Sequence, residues 1–278
     1  SQKLLPSATI QLKTSPESDA TIFFITPTYA RQVQKAELTR LSHTLLLVEN
    51  IHWIVVEDAP NRTSLVAKLL AEAKRRQVNR KFEFTHLNAL TPNDFKTVDT
   101  DPNWLKPRGV WQRNRAIEWL REHFKDSANE NGVVYFGDDD NTYDLKLFEE
   151  IRNTSRVSIF PVGLVGGLIV EKPLVANDKV IGFNSVWNPK RKYPIDMAGF
   201  AVNLQLLLKK EEASFSEQVP RGYQETHLIS QLIDSLEALE PKGRQCKQVL
   251  VWHTRTEKPK LRHERKLKVP STFGMIDD

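Results

Sequence analysis

Three consecutive carboxylates, Asp138, Asp139 and Asp140, follow the apolar run 133–137 (VVYFG). Adjacent like charges raise one another's pKa, and a hard divalent cation such as Mg²⁺ or Mn²⁺ would neutralise them through oxygen ligands. If the protein supplies few ligands, such a cation keeps coordination positions open for the oxygens of a diphosphate. The alternative is an exposed acidic turn, with Asn141 or Asp144 capping the next helix. The position after a buried strand favours the metal site.

Two other strand ends carry side chains that could hold a nucleoside. Pro27, Thr28 and Tyr29 follow the apolar run 21–26, and Asp58 follows the run 52–57. An aromatic ring can stack on a base, and a carboxylate can accept a hydrogen bond from an imide N–H. Taken singly, Tyr29 is better explained as a turn residue and Asp58 as a helix-capping residue. Their shared position at strand ends favours binding.

Basic residues supply candidate anion contacts. Arg108 and Arg113 flank Gly109 at the start of a predicted helix, and a helix N-terminus with arginines nearby attracts anions. The alternative is two exposed arginines. His253 and Arg255 follow the predicted final strand and could clamp a phosphate.

The second half of the chain contributes isolated acids and one aromatic residue. Asp196 lies in a predicted apolar strand, where a lone buried carboxylate is costly unless it is paired or functional. Glu225 lies near a helix start, where the alternative is a stabilising first-turn acid. Trp187, close to Arg191, could offer a flat face to a sugar ring, although a core tryptophan is the usual alternative.

Hydrophobic periodicity predicts the elements that position these residues. In the first half, strands are predicted at 21–26, 52–57, 82–87 and 132–137, and helices at 32–48, 63–77 and 111–124. In the second half, strands are predicted at 157–162, 164–170, 179–187, 197–202 and 248–252, and helices at 203–213 and 223–237. Alternating strands and helices indicate an α/β fold with a mainly parallel sheet, and ligands of such sheets bind beyond the carboxyl ends of the strands. The second half is expected to form a mixed-sheet extension.

Composition is that of a soluble globular protein of 278 residues, with 27% charged residues and a net charge of +5. This balance suits anionic ligands and is too weak to indicate nucleic acid. The positive charge is concentrated only near the C-terminus, at 255–268. Residues 1–20 are expected to be a loose leader, and 261–278 a tail. No signal peptide or membrane-spanning run is visible.

The single cysteine, Cys246, excludes an intrachain disulfide and taken alone favours a reducing compartment. Against this, Asn61 and Asn153 begin N-glycosylation sequons, which matter only in the secretory lumen. The thiol could be free or form an intermolecular bond.

Eight motifs in order, from about residue 21 to 260, resemble the β1,3-glucuronosyltransferase family. They are ITPTYAR (25–31), QKAEL (34–38), WIVVEDA (53–59), PRGV with QRN (107–114), DDDNTY (138–143), PVGLVGGL (161–168), DMAGFAV (196–202) and LVWHTRTEK (250–258). Within the family, the residues of several motifs are closest to the branch that completes the proteoglycan linkage region. Residues 223–225 (YQE) are instead closer to the branch that acts on N-acetyllactosamine. Gly137 stands where the family usually has alanine, a change expected to be sterically neutral, and Phe160 stands where tryptophan is common.

The resemblance implies a GT-A type fold, that is, a single-Rossmann-like nucleotide-diphosphate-sugar transferase fold. It would comprise a UDP-sugar-binding part (21–155) and an acceptor-binding part (156–260). It also implies a dimeric, Golgi-anchored enzyme with a lumenal catalytic domain, which uses UDP-glucuronate and Mn²⁺, transfers to a galactose-terminated acceptor on protein and inverts the anomeric centre.

Residue roles are carried over by position. The resemblance implies that Tyr29 and Asp58 hold uracil, with Pro27 and Thr28 also in the nucleotide-binding set. It further implies that Asp139 holds the ribose with Asp138 in support, and that Asp140 binds the metal. Arg108, Arg113, His253 and Arg255 would hold diphosphate and glucuronate. Glu171, Trp187, Arg191 and Asp196 would face the acceptor or transferred sugar, and Glu225 would be the general base.

Overall fold

The computed structural model describes residues 20–77, 81–96, 106–125, 127, 130–220, 222–273 and 275. Nearly all of the predicted leader therefore lies outside the described residues. The strands are β1 (Thr21–Thr28), β2 (Ile51–Glu57), β3 (Phe82–Asn88), β4 (Gly132–Phe136), β5 (Thr142–Tyr143), β6 (Val157–Ile159), β7 (Val162–Val165), β8 (Leu168–Ala176), β9 (Lys179–Asn184), β10 (Phe200–Asn203), β11 (Leu239–Pro241) and β12 (Val251–Trp252). The helices are α1 (Gln34–Leu45), α2 (Ser64–Arg75), α3 (Val110–Phe124), α4 (Leu145–Ile151), α5 (Leu204–Lys209) and α6 (Gln224–Leu232). Short 3-10 turns lie at Asn93–Phe95, Met197–Gly199, Leu236–Ala238 and Glu264–Lys266.

The large sheet has seven strands in the order β11-β6-β10-β4-β1-β2-β3. β4, β1, β2 and β3 run parallel, and β10 pairs antiparallel with both β4 and β6. The predicted mainly parallel α/β fold is confirmed. Because the parallel strands point the same way, the residues that follow β1, β2 and β4 emerge at one edge of the sheet.

Alternate residues of the central strand β1 belong to two different cores. Phe23 and Ile25 pack on the side that holds α3, α5 and α6, whereas Ile22 and Phe24 pack with α1, α2 and α4. Successive strand side chains point to opposite faces, so a strand buried on both faces must be apolar throughout. This explains the uninterrupted apolar runs in the sequence.

Strands on both sides of residue 155 share the large sheet, since β6, β10 and β11 extend it beyond β4. A second sheet has the order β5-β12-β7-β8-β9. It joins β5, from the first half, to four strands of the second half. The division at residue 155 stays a prediction about which part binds which ligand.

Several predicted boundaries in the second half are wrong. The run 164–170 is split between β7 and β8 by a turn in which Gly166 and Gly167 have φ of 63° and 78°. The predicted strand at 197–202 begins only at Phe200, after a 3-10 turn, and the final strand is confined to Val251–Trp252. Short strands of this kind depend on their pairing partners, which sequence periodicity does not reveal.

Cys246 is buried at the end of a short left-handed turn that starts at Gly243. Burial raises the pKa of its thiol to about 12, which disfavours the nucleophilic thiolate. The two sequon asparagines, Asn61 and Asn153, are exposed. Within the described part of the chain, no helix combines the length and apolarity that crossing a bilayer requires.

Candidate active site

A cavity of about 640 Å³ opens at the carboxyl edge of the large sheet. Its lining includes nine of the residues singled out in the sequence, namely Pro27, Thr28, Tyr29, Asp58, Arg108, Arg113, Asp138, Asp139 and Asp140. The three strand ends therefore meet at one cavity, as the parallel order requires. The volume lies in the range of small-molecule and cofactor sites.

Asp139 is buried and held on both carboxylate oxygens. Thr28 Oγ1 donates to Oδ2 and Arg31 Nη2 donates to Oδ1, each at 2.7 Å. Arg31 also forms an ion pair with Glu37, which is itself buried. Burial raises the pKa of Asp139, opposed by the hydrogen bonds and charge of Arg31 and by Thr28. The Arg31 guanidinium, which lines the cavity, thus balances the negative charges of Asp139 and Glu37.

Asp138 positions an arginine. Arg113 Nη2 donates to Asp138 Oδ1 at 2.7 Å, while Arg113 Nη1 donates to the carbonyl oxygen of Arg108 at 3.0 Å. The Asp138 carbonyl oxygen in turn accepts from Tyr143 Oη at 2.7 Å. Asp138 therefore fixes the guanidinium of Arg113 at the start of α3.

Asp140 differs from its two neighbours. Its carbonyl oxygen accepts from Arg40 at 3.1 Å and from Thr254 Oγ1 at 2.6 Å, but its carboxylate accepts no hydrogen bond from any residue that the structure describes. Burial raises its pKa to about 6, with further contributions from Asp138 and Asp139. A carboxylate that is uncompensated in this way fits a cation.

The cation would need further ligands from its substrate. Within the described ranges, no cluster of three or more histidine, cysteine or acidic side chains could hold a metal alone. Mg²⁺-like ions bind through one or two carboxylates together with substrate phosphates, so Asp140 and a diphosphate form a chemically suitable pair.

Tyr29 and Asp58 also line this cavity. The Tyr29 ring is 53% exposed, and the guanidinium carbon of Arg31 lies 4.5 Å from its centroid. Both oxygens of Asp58 accept from Thr91, from its backbone N at 2.8 Å and its Oγ1 at 2.7 Å. The helix-cap alternative for Asp58 is wrong, because Thr63 caps α2. Asp58 keeps unused lone pairs for a further donor.

Glu225 lies in the first turn of α6 and is 8% exposed. Its Oε2 has no hydrogen-bond partner among the described residues. Burial raises its pKa to about 7, reinforced by the charge of Asp196 and opposed by Arg191 and Arg113. A first-turn acid that only stabilises a helix would be exposed and ionised, so the structure does not support that alternative.

Asp196 links the turn that follows it to His253. It caps the 3-10 turn at Met197–Gly199 rather than lying in a strand, which corrects the sequence prediction. Its Oδ1 accepts from the Ala198 N at 3.0 Å, and its Oδ2 lies 3.3 Å from His253 Nδ1. Burial opposes ionisation, but His253 and the Ala198 N–H lower the pKa of Asp196, and the Asp196 carboxylate raises that of His253.

Trp187 and Arg191 form a half-open platform. The Arg191 guanidinium lies 4.6 Å from the Trp187 ring centroid and donates to the carbonyl oxygens of Gly222 at 2.6 Å and Trp187 at 3.1 Å. Gly222 has φ of 80°, and a Cβ there would come within 2.1 Å of the indole. The indole is 40% exposed, which excludes a core role. Glu171, nearby, is buried and accepts from Ser185 Oγ at 2.6 Å.

His253 and Arg255 line a second cavity of about 540 Å³, bounded by the β7–β8 turn at 164–167. Arg255 Nη2 lies 3.2 Å from His253 Nε2. The predicted phosphate ligands are thus divided, with Arg108 and Arg113 in the first cavity and this pair in the second. Thr254, through its bond to the Asp140 carbonyl oxygen, joins the two cavities.

Sequence reasoning missed Arg31 and Thr91 as site residues. Arg31 belongs to a quoted motif but had no assigned role, because nothing in the sequence places it beside Asp139. Thr91 follows a predicted strand in a polar, proline-containing stretch, and its pairing with Asp58 is visible only in three dimensions.

The expectation that Gly137 is sterically neutral is wrong. A Cβ at this position would lie 2.1 Å from Cζ of Phe24 and within 2.8 Å of two further ring atoms. Phe24 is fully buried against Tyr135 and Tyr143, so it has little room to move.

A mainly parallel sheet with an acidic triplet at its carboxyl edge is a fold and site that suit a nucleotide-binding transferase. Within that class the chain belongs to glycosyltransferase family 43, whose model matches residues 41–257.

Curated relatives agree with this assignment. The chain is 52% identical over 260 residues to galactosylgalactosylxylosylprotein 3-beta-glucuronosyltransferase 3 of Mus musculus, which covers 91% of this chain and 75% of the relative. It is 51% identical to galactosylgalactosylxylosylprotein 3-beta-glucuronosyltransferase 1 of Homo sapiens, over 90% of this chain and 74% of the relative. The corresponding Caenorhabditis elegans enzyme, sqv-8, is 51% identical over 87% of this chain and 66% of the relative.

Proposed function

We propose that this protein transfers glucuronic acid from UDP-glucuronate to the 3-hydroxyl of a terminal β-galactose, in the acceptor Galβ1-3Galβ1-4Xyl on protein. The relatives' names, which describe transfer of glucuronic acid to a galactosylgalactosylxylosyl group on protein, support this proposal. The observation that carries the proposal is Glu225. It is a buried carboxyl group whose pKa is raised to about 7, and its Oε2 accepts no hydrogen bond from the described residues. The charge of Asp196 raises this pKa and that of Arg113 lowers it.

The donor is proposed to occupy the larger cavity. Tyr29 stacks on uracil, and Asp58, held by Thr91, accepts from the base. Asp139 accepts from the ribose hydroxyls. Arg113 and Arg108 pair with the diphosphate at the start of α3, where helix amides also favour an anion.

A Mn²⁺ ion held by Asp140 and the diphosphate would stabilise charge on the departing UDP when bound. The carboxylate of Asp140 carries no competing hydrogen bond from the described residues, which supports this assignment.

The acceptor galactose is proposed to stack on Trp187, with Arg191, Glu171 and Asp196 around the two sugars. Glu225 takes the proton of the acceptor 3-hydroxyl as that oxygen attacks the anomeric carbon, and the bond to UDP breaks. His253 and Arg255 compensate anionic charge on the glucuronate side. A single displacement inverts the anomeric centre and needs no covalent nucleophile.

A second acceptor, N-acetyllactosamine on glycoproteins, is kept as an alternative because residues 223–225 resemble the branch that uses it. A non-catalytic UDP-sugar-binding protein is the remaining alternative. The buried carboxyl of Glu225, whose Oε2 accepts no hydrogen bond from the described residues, argues against it.

The test has two stages. Calorimetric titration with UDP, with and without Mn²⁺, measures nucleotide and metal binding. Incubation with UDP-glucuronate and either a Galβ1-3Galβ1-4Xyl glycoside or N-acetyllactosamine, with product analysis, identifies the acceptor. Transfer to the linkage trisaccharide at a kcat/KM well above that for N-acetyllactosamine is expected. UDP binding without transfer to either acceptor would refute the enzymatic proposal.

We also propose that the protein is anchored in the Golgi membrane, with its catalytic domain in the lumen, and that it assembles as a homodimer. The exposed positions of Asn61 and Asn153 are compatible with a lumenal location. Sedimentation equilibrium tests the dimer, and microscopy of the tagged full-length protein tests the location.

A further inference from the structure

The excess positive charge of this chain resides in one short segment. Residues 255–268 (RTEKPKLRHERKLK) contain seven lysines and arginines and two glutamates, which leaves 33 cationic and 33 acidic residues elsewhere. This basic segment therefore accounts for the whole net charge of +5. The remainder of the chain is balanced, so the asymmetry marks this segment for interaction with an anionic partner.

The basic segment is exposed and its charges are poorly neutralised. Lys258, Arg262, Lys266 and Lys268 are exposed, and none has an acidic partner in the part of the chain that the structure describes. Lys260 reaches Glu257 at 3.4 Å, but both side chains are more than 80% exposed. An ion pair of that kind contributes little, so the segment remains strongly electropositive.

The segment begins inside the proposed catalytic site. Arg255 lines the second cavity and contacts His253, which lies 3.3 Å from Asp196. From Arg255 the chain continues without a break through Lys268. A partner held at the acceptor site would therefore lie beside the start of the basic segment.

We propose that the basic segment binds acidic residues of the polypeptide that carries the acceptor sugars, and so selects among protein acceptors. This rests on the proposed function. The relatives' names place only a galactose and a xylose between the reacting galactose and the protein. The carrier polypeptide is thus close to the site throughout the reaction. Screening limits such attraction to roughly 8 Å at physiological ionic strength, so an adjacent partner is required.

The test compares glycopeptides that bear the same trisaccharide. One peptide has aspartate and glutamate around the attachment site, and the other has asparagine and glutamine there. The enzyme variant is K258Q/K260Q/R262Q/K268Q, and the control K258R/K260R/R262K/K268R preserves the charge. None of these residues belongs to the proposed catalytic or donor-binding groups.

The wild-type and charge-preserving enzymes are expected to prefer the acidic glycopeptide by about tenfold in kcat/KM at low ionic strength, as a set of favourable charge pairs would produce. The preference should vanish in the glutamine variant and at high salt, while kcat/KM for the neutral glycopeptide stays equal in all three. An absent wild-type preference, or one that the glutamine variant retains, would overturn the proposal.

Other polyanions are distinguished by direct binding. Vesicles with anionic lipid and soluble heparin are each titrated with the wild type and the glutamine variant. If the substitutions weaken only these interactions and leave glycopeptide kinetics unchanged, the acidic-peptide assignment is wrong. Failure to transfer sugar to the neutral glycopeptide would refute the proposed function instead. The anisotropy of a labelled, sugar-free acidic peptide would then still show whether the basic segment binds it.

Discussion

Arg31 donates from its Nη2 to Asp139 Oδ1 at 2.7 Å, and the same guanidinium lies 4.5 Å from the Tyr29 ring centroid. The proposed ribose contact and the proposed base-stacking residue therefore share one cation. Arg31 also pairs with Glu37, so its removal would leave two buried carboxylates facing each other. Arg31 is a positioning residue for the nucleoside.

Replacing Arg31 with methionine is expected to weaken UDP binding by about 10- to 100-fold, because a charge-assisted hydrogen bond contributes roughly 1.5–3 kcal/mol. Arg31→Lys should be intermediate, since lysine restores the charge without the planar fork. Calorimetric titration with UDP measures both. Arg75→Met, on the exposed face of α2, is the control and should bind normally. Unchanged affinity in the methionine variant would remove Arg31 from the nucleoside site.

Glu225→Gln is expected to lower kcat by about 10²-fold or more, because the base is lost, while UDP affinity persists. In the wild type, the general base must be ionised. Since its pKa is about 7, kcat should rise with pH through this region and level off above it. The acidic limb should be absent from the residual activity of the variant. Glu257→Gln, an exposed control, should retain the wild-type profile, and a variant with near-normal turnover would exclude Glu225 as the base.

The same carboxyl group makes a stability prediction. The folded pKa of about 7 lies above the ordinary value of 4.5, so folding favours the protonated form. This contribution to stability is complete below about pH 4.5, is lost between about 4.5 and 7, and stays lost above 7. Glu225→Gln should therefore raise the free energy of unfolding by up to about 3 kcal/mol at pH 8 relative to the wild type. The difference should shrink as the pH falls towards 5, and chemical denaturation at both pH values measures it. A difference that does not change with pH would contradict the shifted pKa.

Asp140→Asn should abolish the metal-dependent part of UDP binding, because the amide cannot supply an anionic ligand. A loss of about 10-fold or more in affinity with Mn²⁺ is expected, with little change when the metal is omitted. Asp178→Asn, in the exposed β8–β9 turn, is the matched control. Equal affinity of the Asp140 variant and the wild type in the presence of Mn²⁺ would rule out the ligand assignment.

Gly137→Ala should destabilise the fold by about 1–3 kcal/mol, because the added methyl group overlaps the Phe24 ring. Thermal unfolding should show a lower Tm, by roughly 2–4 °C per kcal/mol for a domain of this size. In a Phe24→Leu background, adding Gly137→Ala should lower the Tm by less than it does in the wild type, because leucine lacks the ring atoms that the methyl group overlaps. An unchanged Tm in the single variant would show that Phe24 can move aside.

The first half of the chain was the most predictable from sequence. Buried parallel strands such as β1 and β2 must be apolar on both faces, so their runs are continuous, and polar residues such as Asp58 and Asp138 mark their ends. The second half was less predictable. β5 and β12 have two residues each and form because β5 pairs with β12 and β12 also pairs with β7, which periodicity does not reveal.

By itself, the sequence determined the α/β class, the family, and the strand ends at which the candidate site lies, because hydrophobic periodicity and motif order are written along the chain. Only the tertiary structure decided how the three aspartates differ. Asp139 meets Arg31, Asp138 meets Arg113, and the Asp140 carboxylate meets no donor among the described residues. These partners lie 108 and 25 positions away in the chain. Identical side chains acquire different charge states and partners only when folding brings distant groups beside them and removes water.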